Sequence, residues 1–299
     1  MLCLLLASTL QLVAAPTSFG EAKKIARQQV YFDQPEQGEL YCSCPFRWTG
    51  ASGGRIEQSA CGYQTRAQPN RAERIEWEHV VPVSLVARQW QCWETGGRNH
   101  CASHDRAFAQ MEADLHNLLP VVGELNADRS NFQFAALPQI AKQHGHCDFK
   151  VDFKNRHAEP PDAIKGLVAR IHFYMADHYQ LRLSRAQQQL LTAWHQQFPV
   201  TDWERERDRR IALITGHHNP YVTGQPGTLS LPTPAAHSIA RESTAEVIGN
   251  RNSKRYHYLH CPGAKTTASS NRVHYPTAMA AEQAGYVLAG NCHTRELQP

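Results

Sequence analysis

The sequence predicts an α+β protein that is stapled by disulfides and followed by a small, separate C-terminal α+β module. Short apolar pieces alternate with Gly, Cys, Ser and Pro over residues 39–86, which indicates turns and strands. Apolar residues recur with a helical period over residues 161–213. Eight cysteines follow an N-terminal apolar run, and the composition shifts at residue 219. These patterns together predict a stapled α+β domain, a linker and a module.

The bulk composition is that of a globular protein. Of the 299 residues, 41% are hydrophobic and 19% are charged, which argues against extensive disorder. The formal net charge of +4 permits a polyanionic partner but does not require one. Beyond the N-terminal run, no stretch is long and apolar enough to span a bilayer. We therefore expect no membrane partner.

The N-terminal run, Met1–Ala15, is too short to cross a bilayer as a helix. Its apolar centre and small terminal residues are typical of a secretory signal peptide. We predict a signal peptide over residues 1–14, cleaved near Ala14–Ala15, and hence a periplasmic or secreted protein. No Lys or Arg precedes the run, and a buried N-terminal helix is the alternative.

The cysteine count agrees with export. Disulfides persist in oxidising compartments, and an even number of cysteines remains once the signal peptide with Cys3 is removed. Cys92 and Cys101 are close enough in sequence to clip one loop. The pairing among the other four cysteines of the first 150 residues stays open: Cys42, Cys44, Cys61 and Cys147. The tight spacing of Cys42 and Cys44 disfavours a zinc site.

The first half of the chain predicts one helix and several strands. Ser18 can cap a helix that extends to Tyr31. We expect turns and short strands at 39–70, and a β-rich segment at 75–86 that ends at the bend favoured by Pro82. Residues 87–117 lack apolar periodicity and predict a long loop, which in a compact domain is often functional.

The second half of the chain predicts three helices, followed by a linker and a small module of different composition. Pro161 opens the first helix, Ser184 caps the second, and Thr201 caps a third on which Trp203, Ile211 and Leu213 face inward. We place the first domain at 15–222, a linker rich in Pro and Gly at 223–243, and the module at 244–299. That module contains six Lys or Arg and three Asp or Glu.

Several segments carry the groups that phosphodiester hydrolysis needs, which are a base for water, a cation and a phosphate ligand. Four segments supply them: Arg74–Pro82 with Glu78 and His79, Gly96–Arg98, Met111–Leu118 with Glu112, and Gly123–Phe132 with Asn126. Glu78 and His79 would point to opposite faces of a regular strand. They can serve one site only if the strand bends or ends there.

In this order, the four segments resemble the bacterial periplasmic and secreted endonuclease I family, which has the ββα-metal, or His-Me finger, active site. The similarity includes Gln91-Cys92-Trp93 and the run from Arg207 to Tyr221, and it covers roughly residues 18–222. The resemblance implies a ββα-metal nuclease core with further helices packed around it.

The resemblance also implies a role for each site residue. His79 would be the general base, while Glu78 and Asn126 would hold one Mg²⁺, with Ca²⁺ or Mn²⁺ as substitutes. Arg98 would bind the phosphate, and Glu112 would position a water or a neighbouring group. The substrates would be DNA and also RNA, cut with little sequence preference to leave 5′-phosphate and 3′-hydroxyl ends. We expect a monomer.

Other acidic and polar residues near the motifs have structural interpretations. We interpret Glu76 as the partner of a nearby arginine, and Glu124 and Asp128 as solvent-facing or capping residues. His116 and Asn117 are interpreted as holding a strand end. Two other functions stay open for the chain, a non-catalytic exported DNA-binding or uptake protein and a zinc-stabilised scaffold.

The C-terminal module resembles the Ada-type metal-binding modules that are attached to some nucleases. The positions that match the four metal-binding cysteines are His257, Cys261, Ala289 and Cys292. Because Ala289 cannot bind zinc, we favour a Cys261–Cys292 disulfide over a zinc site. The excess of basic residues suggests an auxiliary contact with nucleic acid or with the cell envelope.

Overall fold

The computed structural model describes residues 15–88, 90–224 and 246–289, which form two compact units. The predicted signal peptide and most of the predicted linker lie outside these residues. Strands of the first unit form one four-stranded and one three-stranded sheet. They are β1 (Phe46–Thr49), β2 (Gly53–Ile56), β3 (Arg74–His79), β4 (Leu118–Val122), β5 (Gln133–Phe134), β6 (Lys150–Asp152) and β7 (His157–Glu159).

Eleven helices accompany these strands in the described part of the first unit. They are α1 (Phe19–Ile25), α2 (Gln58–Cys61), α3 (Pro69–Ala72), α4 (Val83–Ala87), α5 (Gln91–His104), α6 (Arg106–Glu112), α7 (Gly123–Arg129), α8 (Asp162–His178), α9 (Arg185–Gln197), α10 (Asp202–Thr215) and α11 (Pro220–Thr223). A π-helical turn, Ala26–Val30, continues α1. The predicted α+β class is thus confirmed.

The four-stranded antiparallel sheet has the order β1-β2-β3-β4. Strand β4 is buried along its whole length, and Pro120 is tolerated there because β4 is the edge strand of this sheet. In the pairing of β3 with β4, His79 lies opposite Leu118 and Glu78 lies opposite Leu119. Helix α7 follows β4 directly and packs against β3. The strand that carries the motif residues is therefore covered by the helix that carries Asn126.

The helical part of the unit begins where the sequence predicts it. The hydroxyls of Ser18, Ser184 and Thr201 accept hydrogen bonds from backbone N–H groups three residues ahead, at 3.3, 3.2 and 3.1 Å. Helix α8 is buried over most of its length. One expectation for α10 is wrong, because Leu213 is 64% exposed instead of facing inward, while Ile211 is fully buried.

Three disulfides staple the described part of this unit. Cys92–Cys101 confirms the predicted clip, and the open pairings resolve as Cys42–Cys147 and Cys44–Cys61. The prediction of a long loop at 87–117 is wrong, because helices α5 and α6 occupy most of this segment. Cys101 is the only buried residue of α5, so that helix has no apolar stripe that a sequence pattern could reveal.

The C-terminal unit is small and mixed. Its four-stranded sheet has the order β10-β8-β9-β11. The elements are β8 (Val247–Asn250), β9 (Arg255–Tyr258), α12 (Pro262–Thr266), β10 (Arg272–Tyr275), α13 (Ala278–Gln283) and β11 (Val287–Leu288). Val247, Tyr256, Ala281 and Tyr286 form its core. Cys292 lies outside the described residues, so the predicted Cys261–Cys292 bond stays a prediction. No described helix in either unit is long and apolar enough to cross a membrane.

Candidate active site

A cavity of about 600 Å³ opens at the end of β3, where the sequence predicts the catalytic centre. Three of the five predicted site residues line it, namely His79, Arg98 and Asn126. They come from β3, α5 and α7, which are separated in sequence and brought together by the sheet and its covering helix. Glu78 and Glu112 do not line the cavity, but each contacts a residue that does.

His79 is the last residue of β3, and its imidazole is held in one orientation. Its Nε2 lies 2.8 Å from the main-chain oxygen of Glu112. Because a carbonyl oxygen can only accept, Nε2 carries the hydrogen and Nδ1 keeps its lone pair. Burial lowers the pKa of His79 to about 3, and the charges of Arg98 and Arg129 act in the same direction. The imidazole is thus neutral, as a general base must be.

Arg98 reaches the cavity from an interrupted helix. Gly96 and Gly97 break the helical backbone of α5, and Gly97 has a φ of +65°, which favours glycine. The Cys92–Cys101 disulfide closes the segment on both sides of this kink. The side chain of Arg98 then binds the carboxylate of Glu112 through Nε, while its planar fork retains other donors for a phosphate.

Glu112 therefore has two separate functions in the site. Its main chain fixes the imidazole of His79, and its side chain fixes the guanidinium of Arg98. It is the last residue of α6, a helix that Asp105 caps by accepting a hydrogen bond from the N–H of Phe108 at 2.9 Å. A residue outside the cavity thus positions two groups inside it.

Glu78 lies on the interior side of the same strand end and is 1% exposed. The Nε of Arg129 is 3.5 Å from its carboxylate, and Arg129 also donates hydrogen bonds to the main-chain oxygens of His79 and Val80. Burial raises the pKa of Glu78 to about 7, opposed by Arg129 and by the Tyr41 hydroxyl. Among the described residues, no donor makes a hydrogen bond of normal geometry to either carboxylate oxygen.

Asn126 projects from α7 and donates through Nδ2 to Glu76, at 3.0 Å. The interpretation of Glu76 as the partner of a nearby arginine is confirmed, because Arg71 and Arg74 both form ion pairs with its carboxylate. Burial opposes ionisation, but the two arginines outweigh it and lower the pKa of Glu76. With the amide nitrogen of Asn126 engaged in this way, the amide oxygen is the atom that could coordinate a cation.

Comparison with known proteins identifies the family. A family model described as Endonuclease I matches residues 20–226, which is more than half of the chain. The chain belongs to the endonuclease I family. Membership makes the protein a hydrolytic endonuclease.

Individual relatives from this family agree with each other. The chain is 45% identical over 207 residues to the Endonuclease-1 of Buchnera aphidicola subsp. Baizongia pistaciae (strain Bp), a match that covers 69% of this chain and 82% of that protein. Two proteins of Aeromonas hydrophila also match. The chain is 40% identical over 218 residues to a periplasmic deoxyribonuclease, covering 72% and 91%, and 41% identical over 205 residues to an extracellular deoxyribonuclease, covering 68% and 88%. With the disulfides, these relatives place the protein in the periplasm or the medium.

The site of this endonuclease I family member suits a hard divalent cation. Magnesium prefers oxygen ligands, and it needs only one or two carboxylate or amide oxygens from the protein. Glu78 offers a buried carboxylate whose oxygens accept no hydrogen bond of normal geometry from the described residues, and Asn126 offers an amide oxygen. Arg129 lies three residues after Asn126 on α7 and contacts Glu78, so the same short helix approaches both oxygen donors.

Two acidic residues of the family motif region behave differently from our expectation. Glu124 and Asp128 are buried, not solvent-facing. Glu124 accepts hydrogen bonds from the backbone N–H groups of residues 66–68 and from the Tyr63 hydroxyl, and Asp128 pairs with Arg66. Both residues anchor the segment that leads into α3. The expectation failed because their partners lie about 60 positions earlier in the chain.

Three further residues that line the cavity were not predicted from the sequence to belong to the site, namely Phe19, Lys23 and Arg129. Phe19 and Lys23 belong to α1, which we predicted as a helix without a functional role. Their spacing of four residues places them on one helix face, which is the only signal that the sequence offered. Arg129 lies within the motif segment 123–132 and could have been singled out as its cation.

Proposed function

We propose that the protein is an exported endonuclease that hydrolyses DNA and RNA with little sequence preference and leaves 5′-phosphate and 3′-hydroxyl ends. The observation that carries the proposal is the hydrogen bond that orients the imidazole of His79 in the cavity. Its Nε2 is tied to the carbonyl of Glu112, and it lies in a cavity shared with Arg98 and Asn126. The deoxyribonuclease names of the Aeromonas hydrophila relatives support DNA as a substrate.

In the proposed reaction, the Nδ1 of His79 accepts a proton from the water that attacks phosphorus. The bond from phosphorus to the 3′ oxygen breaks, and that oxygen takes a proton from solvent to become the 3′-hydroxyl. The Nε2 hydrogen bond holds the ring in place and stabilises the imidazolium that forms. Arg98 lies beside the phosphate and neutralises charge as the pentacovalent transition state develops. A bound Mg²⁺, held by Glu78 and Asn126, would supply Lewis acidity toward the phosphate and its leaving oxygen. Glu112 acts by positioning His79 and Arg98.

The lack of sequence preference follows from the kind of groups that line the cavity. Guanidinium, ammonium, imidazole and amide groups recognise the phosphate, which is the same at every nucleotide. A site of this kind does not depend on the 2′ position of the sugar, so RNA should be cut as well as DNA. We expect the ββα arrangement of β3, β4 and α7 to form this metal-dependent core as a monomer.

The test compares wild type, His79→Ala and His104→Ala on plasmid DNA and on single-stranded RNA, with Mg²⁺ or with chelator. His104 is an exposed histidine on α5 that does not line the cavity. Loss of a general base should lower the rate by about 10²–10⁴-fold in His79→Ala, while His104→Ala should match wild type. Products should accept a 5′ label only after phosphatase treatment. Salt-sensitive DNA binding without strand breaks would instead indicate the non-catalytic DNA-binding alternative.

A further inference from the structure

Helix α1 forms one wall of the catalytic cavity. Phe19 and Lys23 line it, and they lie one helical turn apart on the same face. The position of this turn is fixed, because Ser18 caps the helix and because α1 packs beside α6, the helix that ends at Glu112. The first helix after the predicted signal peptide therefore contributes side chains to the site.

The ring of Phe19 contacts three charged or basic groups of the cavity. Its centroid is 4.7 Å from that of the His79 imidazole. The Nζ of Lys23 lies 4.6 Å from the centroid of the Phe19 ring, and the guanidinium carbon of Arg98 lies 5.4 Å from that centroid. Both distances are within the range of favourable cation–π contacts. One aromatic ring thus holds the proposed base and two cations in fixed relative positions.

Among the described cations that line this cavity, Lys23 is the one without a carboxylate partner. Within the described residues, no carboxylate lies within ion-pair distance of its ammonium group, whereas Glu112 pairs with Arg98 and Glu78 lies beside Arg129. The nearest acidic residue on the helix, Glu21, accepts hydrogen bonds from the main chain and hydroxyl of Thr17 at 2.8 and 2.9 Å. An uncompensated ammonium in a cavity that receives nucleic acid attracts a phosphate.

We propose that Lys23 binds a backbone phosphate of the substrate, as a second cation beside Arg98, and that Phe19 is the positioning residue that aligns Lys23, Arg98 and His79. The proposal rests on the nuclease function proposed above. It assigns the amino-terminal helix to substrate binding, with a charge contact that carries no sequence information.

The matched test is Lys23→Ala against Lys24→Ala. Both variants remove one positive charge from α1, but Lys24 is exposed and does not line the cavity. Loss of one phosphate contact should reduce the slope of log(kcat/KM) against log[NaCl] by about 0.7–0.9 in Lys23→Ala. At about 50 mM salt, the lost contact should raise KM by about tenfold and leave kcat nearly unchanged. Lys23→Arg should restore the slope, and Lys24→Ala should retain the wild-type values.

The role of Phe19 is tested separately by measuring kcat and KM of two variants. Phe19→Leu removes the ring that the imidazole contacts, so kcat should fall, whereas Phe19→Tyr keeps the ring and should restore it. Melting temperatures of the Lys23 and Lys24 variants should match wild type. Equal salt slopes for Lys23→Ala and Lys24→Ala would overturn the proposal. If wild type itself fails to cut any nucleic acid, the nuclease function is refuted instead, so the two failures are distinguishable.

Discussion

Asn117 holds the chain just after β3, the strand that carries the proposed catalytic residues. Its side chain is fully buried. Its Oδ1 accepts a hydrogen bond from the N–H of Val81 at 2.8 Å, and its Nδ2 donates to the carbonyl of Val81 at 2.9 Å. Both main-chain groups of Val81, two residues after His79, are therefore satisfied by one side chain. Asn117→Ala leaves both without a partner.

The expected loss of stability is about 3 kcal/mol. Each lost bond contributes about 0.5–1.5 kcal/mol, and each buried main-chain group left without a partner costs about 1–3 kcal/mol. Val81 is only 3% exposed, so water cannot readily replace the side chain. For a folded unit of about 200 residues, this loss lowers the melting temperature by about 6–12 °C. Because the bend after His79 loosens too, kcat at 20 °C should fall about tenfold, equivalent to about 1.4 kcal/mol.

Thermal unfolding and steady-state cleavage of plasmid DNA measure both effects. The control is Asn155→Ala, because Asn155 is exposed and bonds only with its neighbour Asp152. That change should alter stability by no more than about 0.5 kcal/mol. If Asn117→Ala melts within about 2 °C of wild type, a shift of about 0.5–1 kcal/mol at this size, the side chain does not stabilise the strand end and the prediction is refuted.

Three other predictions concern a disulfide, a carboxylate and an imidazole. Replacing Cys42 and Cys147 by Ser opens a loop with a sequence separation of 105 residues and should lower the free energy of unfolding by about 4–5 kcal/mol in urea titrations; an unchanged midpoint would contradict this. Glu112→Gln retains the main-chain bond to His79 but weakens the hold on Arg98, so kcat/KM should fall about tenfold with an unchanged pH profile; a shifted profile would be inconsistent with separate roles. Because burial lowers the pKa of His79 to about 3, activity at saturating Mg²⁺ should fall only well below pH 6.5, and an acid limb centred near 6.5 would show a solvated imidazole.

Features that depend on near neighbours in sequence could be predicted. The caps at Ser18, Ser184 and Thr201 involve partners three residues away. The Cys92–Cys101 clip spans nine positions. Short-range rules suffice for each of these features.

Features that depend on distant partners could not be predicted. Helix α5 is largely exposed and is pinned by its disulfide, so its sequence has no apolar periodicity to detect. Glu124 is charged and buried because the backbone N–H groups of residues 66–68 surround it, and only the fold brings them there. Lys23 reaches the cavity from a helix about 50 residues before the motif. A charged residue near a terminus is otherwise most often solvated.

The register between β3 and β4 makes the site sensitive to chain length as well as to residue type. Glu78 and His79 occupy consecutive rungs of the ladder, opposite Leu119 and Leu118. Inserting or deleting one residue after Ile75 would exchange their faces, turning the imidazole toward the interior and the carboxylate toward the solvent side. Every proposed catalytic residue would still be present in such a variant, but Glu78 and His79 would each face the wrong side of the sheet. The length of this strand is therefore constrained separately from the identity of its residues.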